Sequence, residues 1–356
     1  MLEALAHFTL EGKPLLCRPF GEGHLNVTCL VETDRNRRYV LQRINRVAFH
    51  DIPGLMENMV AVTRHIAART EDPRACLHLV PTLEGGSYYV DAQGEYWRVC
   101  DYVERSICLQ HPETPEDFYQ SALAFGRFQS LLRDFPAASL HETIPKFHDT
   151  PERFRIFRNA LARDPLGRAR GVEREIAFAL AHEREAAALT GQCAAGLLPL
   201  RVTHNDTKLN NVMLDAETRR ALCVVDLDTV MPGLSAYDFG DAIRFGASTG
   251  AEDEQNLDKI AVDAALYRCF TRGFLQSGGA LTRAEIDALP VGAKLMTLEC
   301  GVRFLTDYLL GDVYFSIARP GHNLDRARTQ FRLVADTERR WGELVSIVRE
   351  EAAALG

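Results

Sequence analysis

The sequence predicts an α+β fold of two lobes, a small β-rich N-terminal lobe and a larger helical C-terminal lobe. Short runs of β-branched and apolar residues dominate the first hundred positions, and helical periodicity dominates from about residue 114. No glycine- or serine-rich linker separates the two parts. Because the pattern changes near residues 100–105, we expect lobes of residues 1–103 and 104–356, with the functional groups in the cleft between them.

The N-terminal elements follow from local patterns. Residues 26–31 and 39–44 are predicted strands on either side of a polar turn, and a hairpin is predicted to turn at residues 92–94. A helix is predicted to start just after Pro53, since its apolar positions fall on one face. These positions are Leu55, Met59, Val62 and Ile66.

The C-terminal elements begin with Thr114, a good N-cap in front of a proline at the first helical position. A second long helix is predicted through residues 171–190, and short strands return within residues 202–226. Thr282 and Glu285 have the spacing of a capping box, which predicts the start of a further helix.

Composition excludes several classes of protein. Apolar residues make up 46% and charged residues 25% of the 356 positions, the balance of a soluble globular protein. No apolar run reaches the ~18–20 residues of a membrane span, and the N-terminal residues do not resemble a signal peptide. We therefore expect a cytoplasmic protein.

Charge and cysteine usage narrow the possible partners. The formal net charge of −8 argues against nucleic acid or an anionic membrane as the main partner. The nine cysteines are scattered without any CxxC pair, which argues against a disulfide scaffold or a zinc site. The sequence gives no signal for an oligomeric state.

The most informative segment is residues 204–228. It places His204 and Asp206 in a loop, Asn211 five residues after Asp206, and Asp226 at the end of the next apolar strand. Phosphoryl transfer requires a positioned hydroxyl and neutralised phosphate charge, and an aspartate can accept the hydroxyl proton. Mg²⁺ prefers oxygen ligands and needs only one or two from the protein. A turn in which these side chains satisfy backbone groups is the alternative.

This HxDxxxxN pattern, followed by an apolar strand that ends in Asp, resembles the aminoglycoside phosphotransferase and choline kinase superfamily. The resemblance implies a bilobal protein-kinase-like fold, ATP as the phosphoryl donor and Mg²⁺. It makes Asp206 the catalytic base and makes Asn211 and Asp226 the metal ligands. By the same resemblance Asp238, in an Asp-Phe-Gly sequence, is a buried anchor for the catalytic loop. Asp228 is assigned to the substrate, with a second metal ion or a plain exposed carboxylate as alternatives.

The nucleotide side carries weaker signals. Gly21 and Gly23 precede a strand and could fold over phosphates, although a plain hairpin turn explains them equally well. Arg43 stands where the kinase fold usually has a phosphate-contacting lysine, and the resemblance makes Glu57 its ion-pair partner; a solvent-exposed glutamate is the alternative. The resemblance also implies a hinge whose backbone meets adenine, formed by Asp101, Tyr102 and Val103.

Longer strings resemble the N-acetylhexosamine 1-kinase group within this superfamily. They are LQRINRVAFHDIPGLMENM, THNDTKLNNVMLD, VVDLDTVMPGLSAYDFGDAIRFGAST and ECGVRFLTDYLLGDVYF. The resemblance implies ATP-dependent phosphorylation of the anomeric 1-hydroxyl of GlcNAc or GalNAc. Glu299, Arg303 and Asp307 share a helical face, and we assign Arg303 to the sugar with Asp307 fixing its guanidinium. A solvated face with ion pairs worth ~0.3–0.5 kcal/mol each is the alternative.

Two other functions remain open from the sequence. One is a kinase for another small alcohol, such as an aminoglycoside, choline or homoserine. The other is a nucleotide-binding pseudokinase that regulates a partner. Because such proteins typically lack the base or a metal ligand and Asp206, Asn211 and Asp226 are all present, the active kinase is favoured.

Overall fold

The computed structural model describes residues 2–21, 26–279 and 281–355. Its larger sheet is antiparallel and is built from six strands, with the order β1-β2-β3-β6-β4 and β5 also paired to β6. The strands are β1 (Pro14–Pro19), β2 (Val27–Thr33), β3 (Arg38–Arg43), β4 (Leu79–Val80), β5 (Tyr89–Val90) and β6 (Tyr96–Asp101). The two strands and the hairpin predicted for this region are confirmed.

Five short strands follow within the helical part of the chain. They form a three-stranded sheet of order β10-β9-β7 and a two-stranded sheet of β11 and β8. The strands are β7 (Ser106–Cys108), β8 (Arg201–Thr203), β9 (Val212–Asp215), β10 (Ala221–Val224) and β11 (Met231–Gly233).

The α-helices lie mainly after residue 114. They are α1 (Leu2–Leu5), α2 (Ile52–Ala67), α3 (Pro115–Leu131), α4 (Thr150–Arg163), α5 (Glu173–His182), α6 (Ala188–Ala194), α7 (Ser235–Gly246), α8 (Ala264–Ser277), α9 (Arg283–Leu310), α10 (His322–Arg339) and α11 (Trp341–Ala353). No helix among the described residues is long and apolar enough to cross a membrane. The two-lobed α+β arrangement is confirmed, and the division at residue 103 stays a prediction.

Predicted helix starts agree with the caps that form. The Thr114 hydroxyl accepts a hydrogen bond from the Asp117 backbone N–H, and the Asp117 carboxylate accepts one from the Thr114 N–H. The Thr282–Glu285 capping box at the start of α9 forms in the same way. Each reciprocal pair satisfies backbone donors that the first turn of a helix cannot pair internally.

The predicted long helix at residues 171–190 is wrong. The chain forms α5 and α6 instead, with a tight 3-10 turn at Glu183–Glu185 between them. Glu183 pairs with Arg158 of α4 at this turn, and Leu189 beyond it is fully buried. Ala179 is the buried residue of α5 and Leu189 that of α6.

The core has three apolar clusters. One lies under the larger sheet on the side of α1, a second joins α2, α3, α7 and α8, and a third joins α4, α9 and α10. Leu209 in the loop between β8 and β9, and Leu227 and Val230 after β10, belong to the second cluster. Short loops on packed elements give the side chains of this region fixed positions.

Candidate functional site

The loop of residues 204–211 joins β8 to β9, and Asp238 of α7 anchors its backbone. The Asp238 carboxylate accepts hydrogen bonds from the N–H groups of His204 (3.1 Å) and Asn205 (2.8 Å), and from Nε2 of Gln129 (2.7 Å). Asp238 is fully buried, and its predicted anchoring role is confirmed. Burial raises the pKa of Asp238, while the N–H donors oppose that rise by favouring the carboxylate.

His204 holds the same loop from within. Its Nε2 lies 2.9 Å from the Val225 carbonyl oxygen, and its Nδ1 lies 3.3 Å from the backbone nitrogen of Asp206. A carbonyl oxygen only accepts and a backbone N–H only donates, so Nε2 carries the proton and Nδ1 accepts. The buried ring therefore ties Asp206 to the residue that precedes Asp226.

Asp206 is a partly exposed carboxylate with a cation beside it. Its Oδ1 lies 2.9 Å from Nζ of Lys208. Burial alone would raise the pKa of Asp206, but the ammonium of Lys208 outweighs burial and holds that pKa below its usual range. The carboxylate in turn raises the pKa of Lys208. Asp206 is therefore ionised at neutral pH. Lys208 was not singled out from the sequence, and its two-residue spacing from Asp206 is the signal that could have identified it.

Asn211 lies against Asp206. Its Nδ2 donates to the backbone oxygen (2.8 Å) and to the Oδ2 carboxylate oxygen (3.1 Å) of Asp206. With the nitrogen oriented this way, the amide oxygen of Asn211 is available to a cation. The backbone N–H of Val225 donates to the Asn211 carbonyl at 2.9 Å, which couples this loop to the segment that carries Asp226.

Asp226 follows β10 and has a left-handed backbone, with φ 58° and ψ 58°. Its side chain remains open to solvent in the cleft. The surrounding cleft walls, with the like charges of Asp228 and Asp206, raise the pKa of Asp226 to about 6. The described residues contain no group of three or more His, Cys, Asp or Glu side chains arranged for a metal ion. The arrangement suits a hard cation that takes Asn211 and Asp226 as ligands and completes its shell with phosphate and water.

Asp228 is a buried and paired carboxylate. It is 2% exposed, its Oδ1 is bound by the guanidinium of Arg98, and its Oδ2 accepts from Nδ2 of Asn26 at 2.6 Å. The alternative of an exposed carboxylate is therefore wrong, and contact of Asp228 with the substrate or with a second metal ion stays a prediction. Arg98 is itself 1% exposed and donates to Gln42 Oε1 at 2.9 Å.

Arg43 and Glu57 do not form the predicted ion pair. Side chains alternate along β3, so Gln42 faces Arg98 and the cleft, while Arg43 shares the opposite face with Leu41. Glu57 is exposed and its carboxylate contacts Nε2 of His141 at 2.9 Å. A buried cation near Asp226 is Arg98 of β6, which binds Asp228, two residues further along the chain. The sequence reasoning missed this residue.

The glycine segment is only partly described. Gly21 has φ 76°, the left-handed conformation that favours glycine, and it is exposed. Gly23 lies outside the described residues. Contact of this segment with phosphate stays a prediction.

The predicted hinge lies at the end of β6. The backbone N–H of Tyr102 donates to the Arg38 carbonyl at 3.1 Å, and the Arg38 guanidinium lies 4.2 Å from the centre of the Tyr102 ring. Burial raises the pKa of Asp101. Among the described residues, no hydrogen-bond acceptor is found for the Val103 backbone N–H, which leaves this donor free for a ligand.

Asp307 does not fix the Arg303 guanidinium, and that expectation is wrong. The chain folds back after α9, and the Asp307 carboxylate accepts from the backbone N–H groups of Val313 (2.9 Å), Tyr314 (2.8 Å) and Phe315 (2.9 Å). Asp307 is 3% exposed. Its role is to shape the loop that places Tyr314 and Phe315, because an unpaired backbone donor would be costly there.

Arg303 lies among aromatic rings. Its guanidinium carbon lies 5.1 Å from the centre of the Phe147 ring, 5.4 Å from that of Phe315 and 5.9 Å from that of Tyr314. No carboxylate in the described part of the chain forms a salt bridge with it. Arg153 lies beside it, and burial together with the charge of Arg303 lowers the pKa of Arg153. The Arg153 guanidinium donates to the Phe147 carbonyl, and the charge of Arg303 helps to lower the pKa of the nearby buried Glu299.

Comparison with known proteins identifies relatives of this fold. A family model described as the phosphotransferase enzyme family, APH, matches residues 16–272. An aminoglycoside phosphotransferase structure from Alicyclobacillus acidocaldarius is 15% identical, with 100% of this chain and 97% of that chain covered and a TM-score of 0.62. A microcompartment-associated aminopropanol kinase is 16% identical, with coverage of 96% and 97% and a TM-score of 0.60. An amicoumacin kinase in complex with AMP-PNP, Ca²⁺ and Ami is 11% identical, with coverage of 93% and 91% and a TM-score of 0.63.

Proposed function

Because this chain belongs to the phosphotransferase enzyme family, we propose that it transfers a phosphoryl group from ATP to the anomeric 1-hydroxyl of an N-acetylhexosamine. The observation that carries the phosphotransferase chemistry is the joint placement of Asp206, Asn211 and Asp226 on two loops that hydrogen bonds tie together. The acceptor assignment rests on the sequence resemblance and on the surroundings of Arg303.

Asp206 is proposed to orient the acceptor hydroxyl and take its proton. The hydroxyl oxygen forms a bond to the γ-phosphorus, the bond from that phosphorus to the β–γ bridging oxygen breaks, and ADP leaves. A base with a low pKa serves this reaction because the proton moves late, when the hydroxyl has become acidic through bond formation. Lys208 keeps Asp206 ionised and holds one of its oxygens in place.

Asn211 and Asp226 would hold the divalent cation, which we propose to be Mg²⁺. The residues fit this group: the Asn211 amide presents its oxygen, and burial together with the like charges of Asp228 and Asp206 raises the pKa of Asp226, which a bound cation would lower. When bound, the ion would neutralise charge on the terminal phosphates of ATP. The free N–H of Val103 is proposed to meet adenine, with the carbonyl groups of Asp101 and Tyr102 beside it.

The acceptor is proposed to bind between Asp206 and Arg303. A guanidinium without a carboxylate partner has unused donors, which suit the hydroxyl and acetamido oxygens of a sugar. The rings of Phe147 and Phe315 suit the apolar face of a pyranose. At the Arg303 end of this site, Arg303 and Arg153 would repel the cationic group of choline or of an aminoglycoside, which favours a neutral sugar there.

The test is ADP release with Mg-ATP against GlcNAc, GalNAc, glucose, galactose, choline, homoserine and kanamycin. We expect the highest kcat/KM with the N-acetyl sugars. Turnover only with another acceptor would refute the sugar assignment and keep the kinase, whereas ATP binding without turnover on any acceptor would favour a pseudokinase.

Variants assign the chemistry within the same assay. Asp206→Asn should lower kcat by ~10²–10⁴ while ATP still binds, because the amide keeps the shape of the side chain and removes the base. Asp287→Asn, at an exposed position on α9, is the matched control and should turn over normally. Near-normal turnover by Asp206→Asn would remove Asp206 from this role.

A further inference from the structure

His148, which precedes α4, contacts the catalytic loop and α9 together. Its Nε2 lies 3.0 Å from the carbonyl oxygen of Asn205, and its Nδ1 lies 2.9 Å from Oε1 of Glu299. The side chains of His148 and Glu299 are 8% and 2% exposed, so water does not compete for these contacts. The second carboxylate oxygen of Glu299 accepts from the Thr150 hydroxyl at 2.6 Å.

The partners of His148 set the orientation of its ring. One ring nitrogen faces a backbone carbonyl oxygen and the other faces a carboxylate oxygen, so the ring bridges the catalytic loop and α9. His204 differs because its Nδ1 accepts from an N–H group. Burial alone would raise the pKa of Glu299, but His148, Arg303 and the Thr150 hydroxyl together outweigh burial and lower that pKa.

The group that His148 holds is the peptide unit in front of Asp206. The carbonyl of this unit, from Asn205, accepts from His148, and its N–H, from Asp206, donates to His204. Asn205 has φ 65°, a conformation with a small steric cost for a residue other than glycine. Two histidines therefore fix opposite edges of the peptide plane from which Asp206 projects.

We propose that His148, held in place by Glu299, is a positioning residue that aims Asp206 and couples its loop to the turn of α9 that carries Arg303. This proposal rests on the proposed kinase function and adds a residue to it. Loss of the link would let the Asn205–Asp206 peptide rotate, and misplacement of a reacting group by about 1 Å can cost ~10²-fold in rate. The acceptor and the base would then be placed independently of each other.

Several other ionisable groups lie on the elements packed around His148. The α4 side contributes Asp149 at the N-cap and Arg153, α9 contributes Glu299 and Arg303, and α7 contributes the Tyr237 ring, 5.3 Å away. Among the described residues, the Glu299 carboxylate is the one charged group that is hydrogen-bonded to the ring. Its replacement by an amide is thus the change that should weaken the hold on His148.

The kinetic test uses His148→Gln and Glu299→Gln. His148→Gln should lower kcat by roughly 10–100-fold, with the KM for ATP changed less than twofold. In Glu299→Gln a neutral amide holds the ring more weakly than the carboxylate does, so kcat should fall by a smaller factor, again with the KM for ATP changed less than twofold. Unchanged kcat in His148→Gln, or a KM for ATP that rises as much as kcat falls in either variant, would overturn the proposal.

His182 provides a matched control. Its Nδ1 faces the Phe178 carbonyl (2.8 Å) and its Nε2 faces the Glu338 carboxylate (3.2 Å), but both partners lie on α5 and α10, away from the catalytic loop. His182→Gln should change thermal stability as His148→Gln does and leave kcat unchanged. Equal losses of kcat in the two variants would assign the effect of His148 to general destabilisation and overturn the proposal.

A readout without catalysis separates this proposal from the proposed function. In protein labelled with ¹⁵N-histidine, the His148 ring, assigned by its loss in His148→Gln, should show a slowly exchanging proton on Nε2, because that nitrogen donates to the Asn205 carbonyl inside the protein. An unprotonated or rapidly exchanging Nε2 would overturn the link to Asn205 whatever the enzyme phosphorylates. A slowly exchanging Nε2 proton, together with no turnover on any acceptor, would support the link and refute the kinase assignment.

Discussion

The buried ion pair between Arg98 and Asp228 joins the larger sheet to the segment that carries Asp226. Both side chains are at most 3% exposed, and Asp228 also receives the Asn26 amide. Removal of either charge leaves the other buried without a counter-charge, which typically costs about 3–5 kcal/mol. We therefore expect Asp228→Asn and Arg98→Met each to lower the free energy of unfolding by about that amount.

The double variant should recover much of the loss, since replacing a buried pair with uncharged groups is often close to neutral. A double-mutant cycle would then give a coupling energy of at least about 2 kcal/mol. Urea unfolding followed by tryptophan fluorescence and far-UV circular dichroism measures these values. Asp287→Asn, which breaks the exposed Arg283–Asp287 pair, is the control and should cost less than about 0.5 kcal/mol.

Function provides a second measure of the same pair. Asp228 lies in the 3-10 turn of Leu227–Thr229, directly after Asp226, and Asn26 precedes β2. Loosening this contact should therefore raise the KM for Mg-ATP more than the KM for the acceptor. If each single variant lowers the free energy of unfolding by less than about 1 kcal/mol and the two losses add in the double variant, the reasoning is refuted, because water would then screen the pair.

Three further predictions concern the anchor of the catalytic loop, the acceptor site and the proposed metal ligand. Asp238→Asn should lower kcat at least tenfold with the ATP Kd, measured by calorimetry, nearly unchanged, because a neutral amide holds the His204 and Asn205 N–H groups more weakly; unchanged kcat would contradict this. Arg303→Ala should raise the KM for the acceptor sugar at least tenfold and that for ATP less than twofold, and the reverse order would remove Arg303 from the acceptor pocket. Because the pKa of Asp226 is raised to about 6, its contribution to stability is fully present below pH 4 and is lost as pH rises through 6. In EDTA, Asp226→Asn should therefore raise the unfolding temperature at pH 7.5, by the equivalent of roughly 1 kcal/mol for this solvent-open group, and not at pH 4; equal shifts at both values would contradict the assignment.

Local rules were sufficient for much of the fold. The helix starts at Thr114 and Thr282 depend on side chains within four residues, and the strand alternation of β2 and β3 depends on which face is buried. The anchoring role of Asp238 was also predicted, from its place in a sequence pattern. In each case the information lies within a short stretch of chain or a resemblance that spans one.

Contacts between distant segments could not be predicted in this way. Arg98 lies in the strand YWRVCD, where alternation gives no reason to expect a buried cation, and its partner Asp228 is 130 residues away. Asp307 has the i, i+4 spacing to pair with Arg303, but the loop after α9 returns to it with three backbone donors. Satisfying three buried N–H groups outweighs one helix-surface ion pair worth ~0.3–0.5 kcal/mol.

Backbone geometry constrains the two loops as strongly as chemistry does. Asn205 and Asp226 both have left-handed φ values, 65° and 58°. Asn205 directly precedes the proposed base, and Asp226 is a proposed metal ligand. Asn and Asp tolerate this region better than other residues with a side chain, since their short polar groups can bond locally. The residue at position 226 must therefore adopt a left-handed backbone and also supply a carboxylate oxygen. The side chain at position 205 has only to permit the left-handed backbone, because His148 and Asp238 hold the backbone carbonyl and N–H of Asn205. Within these two loops, the strained backbone thus lies at the two points that direct a carboxylate into the cleft.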